Sequence, residues 1–200
     1  METFEAIYAR RAVKNYDPEH QLSEEELHKL FEAAIQSPTS FNIQHWRFVL
    51  VRDPSLRQQI RAVAADQAQV TDASALVILT GDMMAWAKEP ARYWRNAPKE
   101  VQDILVPWIQ PFHEGKEQLQ RDEVMRSCGM AGQTIMLAAK AMGYDTCPMI
   151  GFDAEAVAEL IRLPKDHAIG FMIAIGKRTK DAWPKPGQHA LEDVLIHDRF

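Results

Sequence analysis

The stretch from Cys128 to Met142 constrains this chain most. It is apolar at nearly every position, with Gly129, Met130, Ala131, Gly132, Ile135, Met136, Leu137, Ala138, Ala139 and Ala141 around the helical wheel. Val124, Cys128, Ala131, Ile135, Ala138 and Met142 recur at steps of three and four, the period of one helical face. A helix over Asp122–Met142 would be about 30 Å long at about 1.5 Å per residue. A helix apolar all round is expected to be buried on all sides, so it should run through the middle of the fold. Asp122, Glu123, Arg126, Gln133 and Lys140 interrupt it too often for a membrane span. Gly143 is suited to stop it.

Other elements arrange themselves around that helix. Thr3 can cap a first helix, although Ala6 stands where a capping box needs an acid. Ser23 and Glu26 form a full capping box opening a second helix, whose buried stripe is Leu27, Leu30, Phe31, Ala34 and Ile35. Arg47–Arg52 reads as a strand and Asp53-Pro54 opens a third helix to about Ala65. Asp66–Val70 is a polar break. Ala75–Thr80 is a central strand ended by Gly81-Asp82. Asp153 caps a short helix from Ala154 to Arg162, and His167–Gly176 is another buried strand. The tail from Lys177 to Phe200 is extended or irregular and carries Leu195, Ile196 and Phe200, which need a surface to cover them. Residues 83–121 stand apart, with Trp86, Tyr93, Trp94, Trp108 and Phe112 among charges and prolines. Helical pieces are expected near 98–106 and 113–121. This aromatic segment either packs on the rest of the structure or forms a lid over an apolar site.

The 200 residues suit a single domain over 1–200. Net charge is −5, which gives no general attraction for nucleic acid. No window is long and apolar enough to span a bilayer. The two cysteines, Cys128 and Cys147, both sit in apolar settings. They suit a reducing compartment, most simply the cytoplasm. Standard dinucleotide and P-loop glycine patterns are absent, and so are H-x-x-x-H and C-x-x-C metal spacings. No side chain stands out as nucleophile or general base, so an enzyme built on this chain would leave the chemistry to a cofactor.

Three clusters could bind one. Arg10, Arg11 and Lys14 follow the first helix, either as a solvated cationic cap or as two guanidinium forks and an ammonium around a phosphate. Ser37-Pro38-Thr39-Ser40-Phe41-Asn42-Ile43-Gln44-His45-Trp46 is dense in short hydrogen-bonding groups. It is either a well-made turn or the polar edge of a heterocycle site. Pro148-Met149-Ile150-Gly151-Phe152 is either an ordinary helix-to-strand turn or a ligand wall.

In this order and register, the three clusters resemble the FMN-dependent nitroreductase family over nearly the whole chain. The S-P-[ST]-S-x-N-x-Q-x-W pattern of the second is the most specific. The resemblance implies an α+β fold in which a mixed, mainly antiparallel sheet is flanked by helices. It also implies a homodimer with exchanged C-terminal tails and two FMN sites at the interface. Arg10, Arg11 and Lys14 would hold the phosphate and the ribityl–ring edge, beside Ala12, where Ser is common. A tail cation would join them: Lys185 is the best match, with Lys177 and Arg178 as other candidates. Pro38, Thr39, Ser40 and Asn42 would come from the partner chain. Gln69 would meet the ring, and Pro148, Met149, Ile150 and Gly151 would lie along it, with the Gly151 N–H near N5. Ile150 stands where some members carry an acid, and Lys185 where Arg is frequent. The implied activity is NAD(P)H oxidoreduction by ping-pong kinetics, from nicotinamide to flavin and on to a small aromatic acceptor of nitroaromatic or quinone type. Relatives that remove halogen, break down flavin or merely bind it mark the alternatives.

Overall fold

The computed structural model describes residues 1–200. Eight α-helices and four strands follow one another as α1 (Thr3–Ala9), α2 (Glu24–Ala34), β1 (Trp46–Val51), α3 (Pro54–Ala62), α4 (Gln69–Asp72), β2 (Ala75–Asp82), α5 (Lys99–His113), α6 (Glu117–Ala141), β3 (Asp145–Met149), α7 (Ala154–Leu160), β4 (His167–Gly176) and α8 (Leu191–Val194). The sheet has the order β1-β2-β4-β3 and every pairing is antiparallel. The parallel component is a single bridge between Ala12 and Thr146.

β2 is buried along its whole length, and its alternation divides the core. Val77 and Leu79 join Ile173 and Ile175 of β4 under α2 and α6. Leu76 and Ile78 join Met172 and Ala174 under α3 and α7. α6 can lie close to the sheet because of Gly170 and Gly132. Gly170 is the extra residue where the β2–β4 register shifts, and a Cβ there would meet Cys128 Cβ at 2.8 Å. At Gly132 a Cβ would run into the Phe171 ring.

Several bounds differ from the sequence reading. Thr3 is the first helical residue and Glu2 the N-cap, with no side-chain cap bond; with Ala6 in the box position, nothing reciprocates a Thr3 cap. α3 stops at Ala62, and the expected break before β2 contains the short turn α4. β2 continues through Gly81 and Asp82, which pair with Ala168 and His167. α5 runs straight through Pro107 and Pro111. The two prolines are four residues apart, so their missing donors fall on one face of the helix, and that face is open to solvent. The second piece expected near 113–121 is the beginning of α6, which starts at Glu117. Burial of α6 is one-sided in the single chain: Val124, Cys128, Ala131, Ile135 and Ala139 are buried, whereas Gly129, Met130 and Gln133 are exposed. No helix is long and apolar enough to cross a membrane.

The capping box at Ser23 is fully formed. Glu26 N–H donates to Ser23 Oγ at 3.2 Å, and Ser23 N–H donates to Glu26 Oε2 at 2.9 Å. Glu26 also accepts from Tyr144 Oη at 2.6 Å, and this bond holds its carboxyl down at about 2. Ser23→Ala is expected to cost about 1 kcal/mol, a fall of roughly 2–4 °C in thermal midpoint that a circular dichroism melt would read.

Candidate functional site

The cationic segment is built by the end of α1 and the edge of the sheet. Arg10 is the C-cap of α1, its N–H donating to Ala6 O, and the chain beyond it is extended. Val13 N–H then donates to Thr146 O at 3.0 Å. Val13 and Tyr16 are buried and anchor the segment, while Ala12 and Lys14 point outward. Burial pushes the Tyr16 phenol well above its ordinary range, and its Oη donates to Ala174 O.

This arrangement puts Arg10, Arg11, Ala12 and Lys14 on the wall of a cavity of about 460 Å³. The opposite wall is the tail, with Asp181, Trp183, Lys185 and Gln188. Arg11 Nη2 donates to Trp183 O, and Lys14 Nζ lies 5.5 Å from the Trp183 ring centre. The single carboxylate of the lining, Asp181, is taken by Arg178 at 3.2 Å. None of the four cations Arg10, Arg11, Lys14 and Lys185 makes an ion pair, so their charge is directed at the cavity. The other two candidate tail cations are engaged elsewhere. Lys177 Nζ donates to Gly143 O and lies over Tyr144, and Arg178 binds Asp145 and Asp181.

Pro148 and Met149 close β3, so the stretch expected as loop begins as an edge strand. Ile150 and Gly151 follow it, and Ile150 is 81% exposed. Nothing inside the chain requires glycine at 151. Its φ is not left-handed, and a Cβ would meet only Gln67 Nε2 at 3.6 Å. Gln67 Nε2 donates to Gly151 O at 2.9 Å and receives support from behind, because buried Gln69 donates to Gln67 Oε1 at 2.9 Å. Gln69 therefore stands one residue back, and Gln67 is the glutamine that touches the Gly151 loop. Gln67, Trp183 and Gln188 were missed by sequence reasoning. Gln67 lay in a stretch read only as a polar break, and an aromatic in the Pro-rich tail was the one available signal for Trp183.

Pro38, Thr39, Ser40 and Asn42 are not brought to the cationic cavity within one chain; Asn42 instead lines a second cavity. Their loop is tightly defined. Gln44 N–H donates to Thr39 Oγ1 at 2.9 Å, and Asn42 Nδ2 donates to Tyr93 O at 2.7 Å. Phe41, Asn42 and Gln44 all have φ between 50° and 55°. Left-handed backbone at three non-glycine positions is costly and persists only where the surroundings impose it.

The aromatic segment before α6 mostly packs inward. Trp86 is buried with Ile43, Ala85 and Ile109, and Tyr93 and Trp94 pack against this group. Trp108 and Phe112 remain exposed. His45 lies beneath the same loop, 1% exposed, with Nδ1 3.1 Å from Ser127 Oγ and Nε2 without a protein partner. Burial, followed by the neighbouring charge of His113, pushes its pKa down to about 4. Burial raises the Cys128 thiol to about 12, leaving it unreactive. Asp82, Asp166 and His167 form a three-residue cluster, but Lys88 Nζ bridges the two carboxylates at 2.8 and 2.6 Å and supplies their counter-charge.

Comparison with known proteins bears on this site. The family model described as the Nitroreductase family matches residues 7–177. The protein DrgA of Synechocystis sp. is 65% identical over 98% of this chain and 95% of its own length. The oxygen-insensitive NADPH nitroreductase of Helicobacter acinonychis is 32% identical over 91% of each chain. A solved nitroreductase-type structure from Exiguobacterium sibiricum, in complex with FMN, superposes with a TM-score of 0.91 at 29% identity, covering 98% of this chain and 97% of that one. The match therefore takes in the cationic segment, the polar loop and the Pro148–Gly151 wall together, and the chain belongs to the nitroreductase family.

Proposed function

We propose that this protein is an FMN-dependent NAD(P)H oxidoreductase that reduces nitroaromatic or quinone-type acceptors and works as a homodimer. The observation that carries the reading is the cavity of about 460 Å³ with four cations and no free carboxylate. A phosphate near its dianionic form matches that donor set, because guanidinium forks bind it in a bidentate manner and ammonium groups add point charge. Two relatives support the cofactor and the donor: the Exiguobacterium sibiricum protein was solved in complex with FMN, and the Helicobacter acinonychis protein is named an NADPH nitroreductase.

When bound, FMN would supply the two-electron chemistry, accepting hydride from nicotinamide and passing it to the acceptor. The chain's own tasks are binding and orientation. Arg10, Arg11, Lys14 and Lys185 hold the phosphate. Gln67, backed by Gln69, fixes the Gly151 loop, and the absence of a side chain at 151 lets a flat ring approach the backbone. No titratable group lies on Pro148–Gly151, which agrees with chemistry that needs no protein acid or base at that wall.

The dimer is supported by apolar surface that one chain leaves open. Phe4, Ile7 and Tyr8 on α1, Met130 on α6, and Leu191, Val194, Leu195, Ile196 and Phe200 in the tail are all exposed. Exposed apolar groups on this scale mark an interaction surface. In the dimer the Pro38–Asn42 loop would complete the partner's site. An anaerobic visible spectrum, recorded before and after NADPH or NADH is added, tests the reading. A yellow protein that bleaches is expected. A protein that stays colourless after incubation with FMN would overturn it.

A further inference from the structure

A second cavity, of about 570 Å³, is lined by Asn42, Gln44, Trp46 and Arg47 and by the segment from Arg92 to Ala97. Its wall carries three guanidinium groups and no carboxylate. Arg47 is largely spoken for: Nη1 donates to Trp46 O at 2.7 Å, and Nη2 lies 3.8 Å from Asp82. Arg92 is oriented but not neutralised, since Nη2 donates to Tyr93 Oη at 2.6 Å and the guanidinium stacks on that ring at 4.7 Å. Arg95 is exposed, and its guanidinium makes no ion pair. Trp46, Tyr93 and Trp94 add aromatic surface, and Gln44 and Asn96 add amides.

This combination selects a flat ring bearing a polyanion. Guanidinium forks match phosphate oxygens, aromatic and guanidinium faces stack on a heterocycle, and the amides read its polar edge. Asn42 and Gln44, two of the lining residues, are held in left-handed backbone, so this wall is shaped in advance of any ligand. Asn42 also belongs to the loop that the flavin reading assigns to the redox site, which places the cavity at that site's margin.

We propose that this cavity binds the phosphorylated adenosine end of the nicotinamide donor and that Arg92 and Arg95 favour the donor carrying the 2′-phosphate. The purpose of the cavity, though not its chemistry, rests on the flavin reading. Calorimetry with adenosine 2′,5′-bisphosphate, 5′-AMP and inorganic phosphate tests it on the full-length protein. The bisphosphate is expected to bind more tightly than either control. Arg95→Gln is expected to weaken it roughly tenfold or more, the loss of one hydrogen-bonded charge pair, and Arg95→Lys to restore part of that. The KM for NADPH should rise with it, and the KM for NADH much less. Arg92→Gln is the second variant, because Arg92, unlike Arg95, is held against the Tyr93 ring. Bisphosphate that fails to bind, binds no better than phosphate, or binds both Gln variants as it binds the parent would overturn the proposal. A colourless protein that still binds the bisphosphate through Arg95 would sink the flavin reading alone, and a yellow, reducible protein indifferent to both arginines would sink this one alone.

Discussion

Arg10→Ala is expected to strip most of the flavin from the protein while leaving the fold intact. The Arg10 backbone, not its side chain, caps α1, and the side chain lines the cationic cavity without an ion pair. Truncation therefore removes nothing that the apoprotein uses. A hydrogen bond to a charged group contributes about 1.5–3 kcal/mol, so losing a bidentate fork should weaken binding at least about a hundredfold. Flavin absorbance per polypeptide after gel filtration would read the loss, and an unchanged thermal midpoint of the apoprotein would show that folding is spared. Arg10→Lys should fall between, keeping the charge and losing the fork. Stoichiometric flavin on the Ala variant would refute the phosphate role.

Acid should loosen the protein through His45 before its carboxylates respond. An unfolded histidine titrates near 6.5, and His45 in the fold titrates near 4. The unfolded chain therefore binds the extra proton first. Stability is complete above about pH 6.5 and is lost as pH falls toward 4, by about 3 kcal/mol for a depression of this size. The charges around the ring are those of His113, Asp82 and Arg47. Glu26 and Asp166 are both held down at about 2 from ordinary values of 4.5 and 3.8, so their contributions are lost mainly below pH 4 and overlap only the acid end of this window. Urea midpoints at several values between pH 7.5 and 4, compared for the parent and His45→Gln, would isolate the effect. The variant keeps a partner for Ser127 and should lack this part of the decline; an identical decline in both proteins would exclude His45.

What could be read from the sequence was local or periodic. The Ser23–Glu26 box, the limits of β4 and the Gly143 stop each depend on residues a few positions apart. The cationic segment was visible as a run of charge, but the cavity that the tail closes over it with Trp183 and Lys185 was not. That closure spans most of the chain length and leaves no local pattern. The second half of α5 escaped because proline rules end a helix at Pro107, whereas spacing Pro107 and Pro111 one turn apart keeps the defect on the solvent face. Gln67 was not singled out beside Gln69, since order along a polar turn does not tell which side chain reaches the Gly151 loop. The arginine cavity was invisible for a similar reason: Arg47 precedes β2 in the chain, Arg92 and Arg95 follow it, and they meet only in space.

The bridge between Ala12 and Thr146 also bears on how the protein behaves at high concentration. β3 is an outer strand of the sheet, and outer strands invite another chain to add on and propagate into aggregates. Here residues 12–13 occupy part of that rim through the Val13 bond to Thr146, and Pro148 has no N–H to offer further along. The segment that presents cations to the cavity thus also shields the strand from polymerisation, together with a proline of the wall. A substitution that detached residues 12–13 would expose a sticky rim as well as dismantle a binding site, and poor solubility in such a variant would have a cause separate from any lost cofactor.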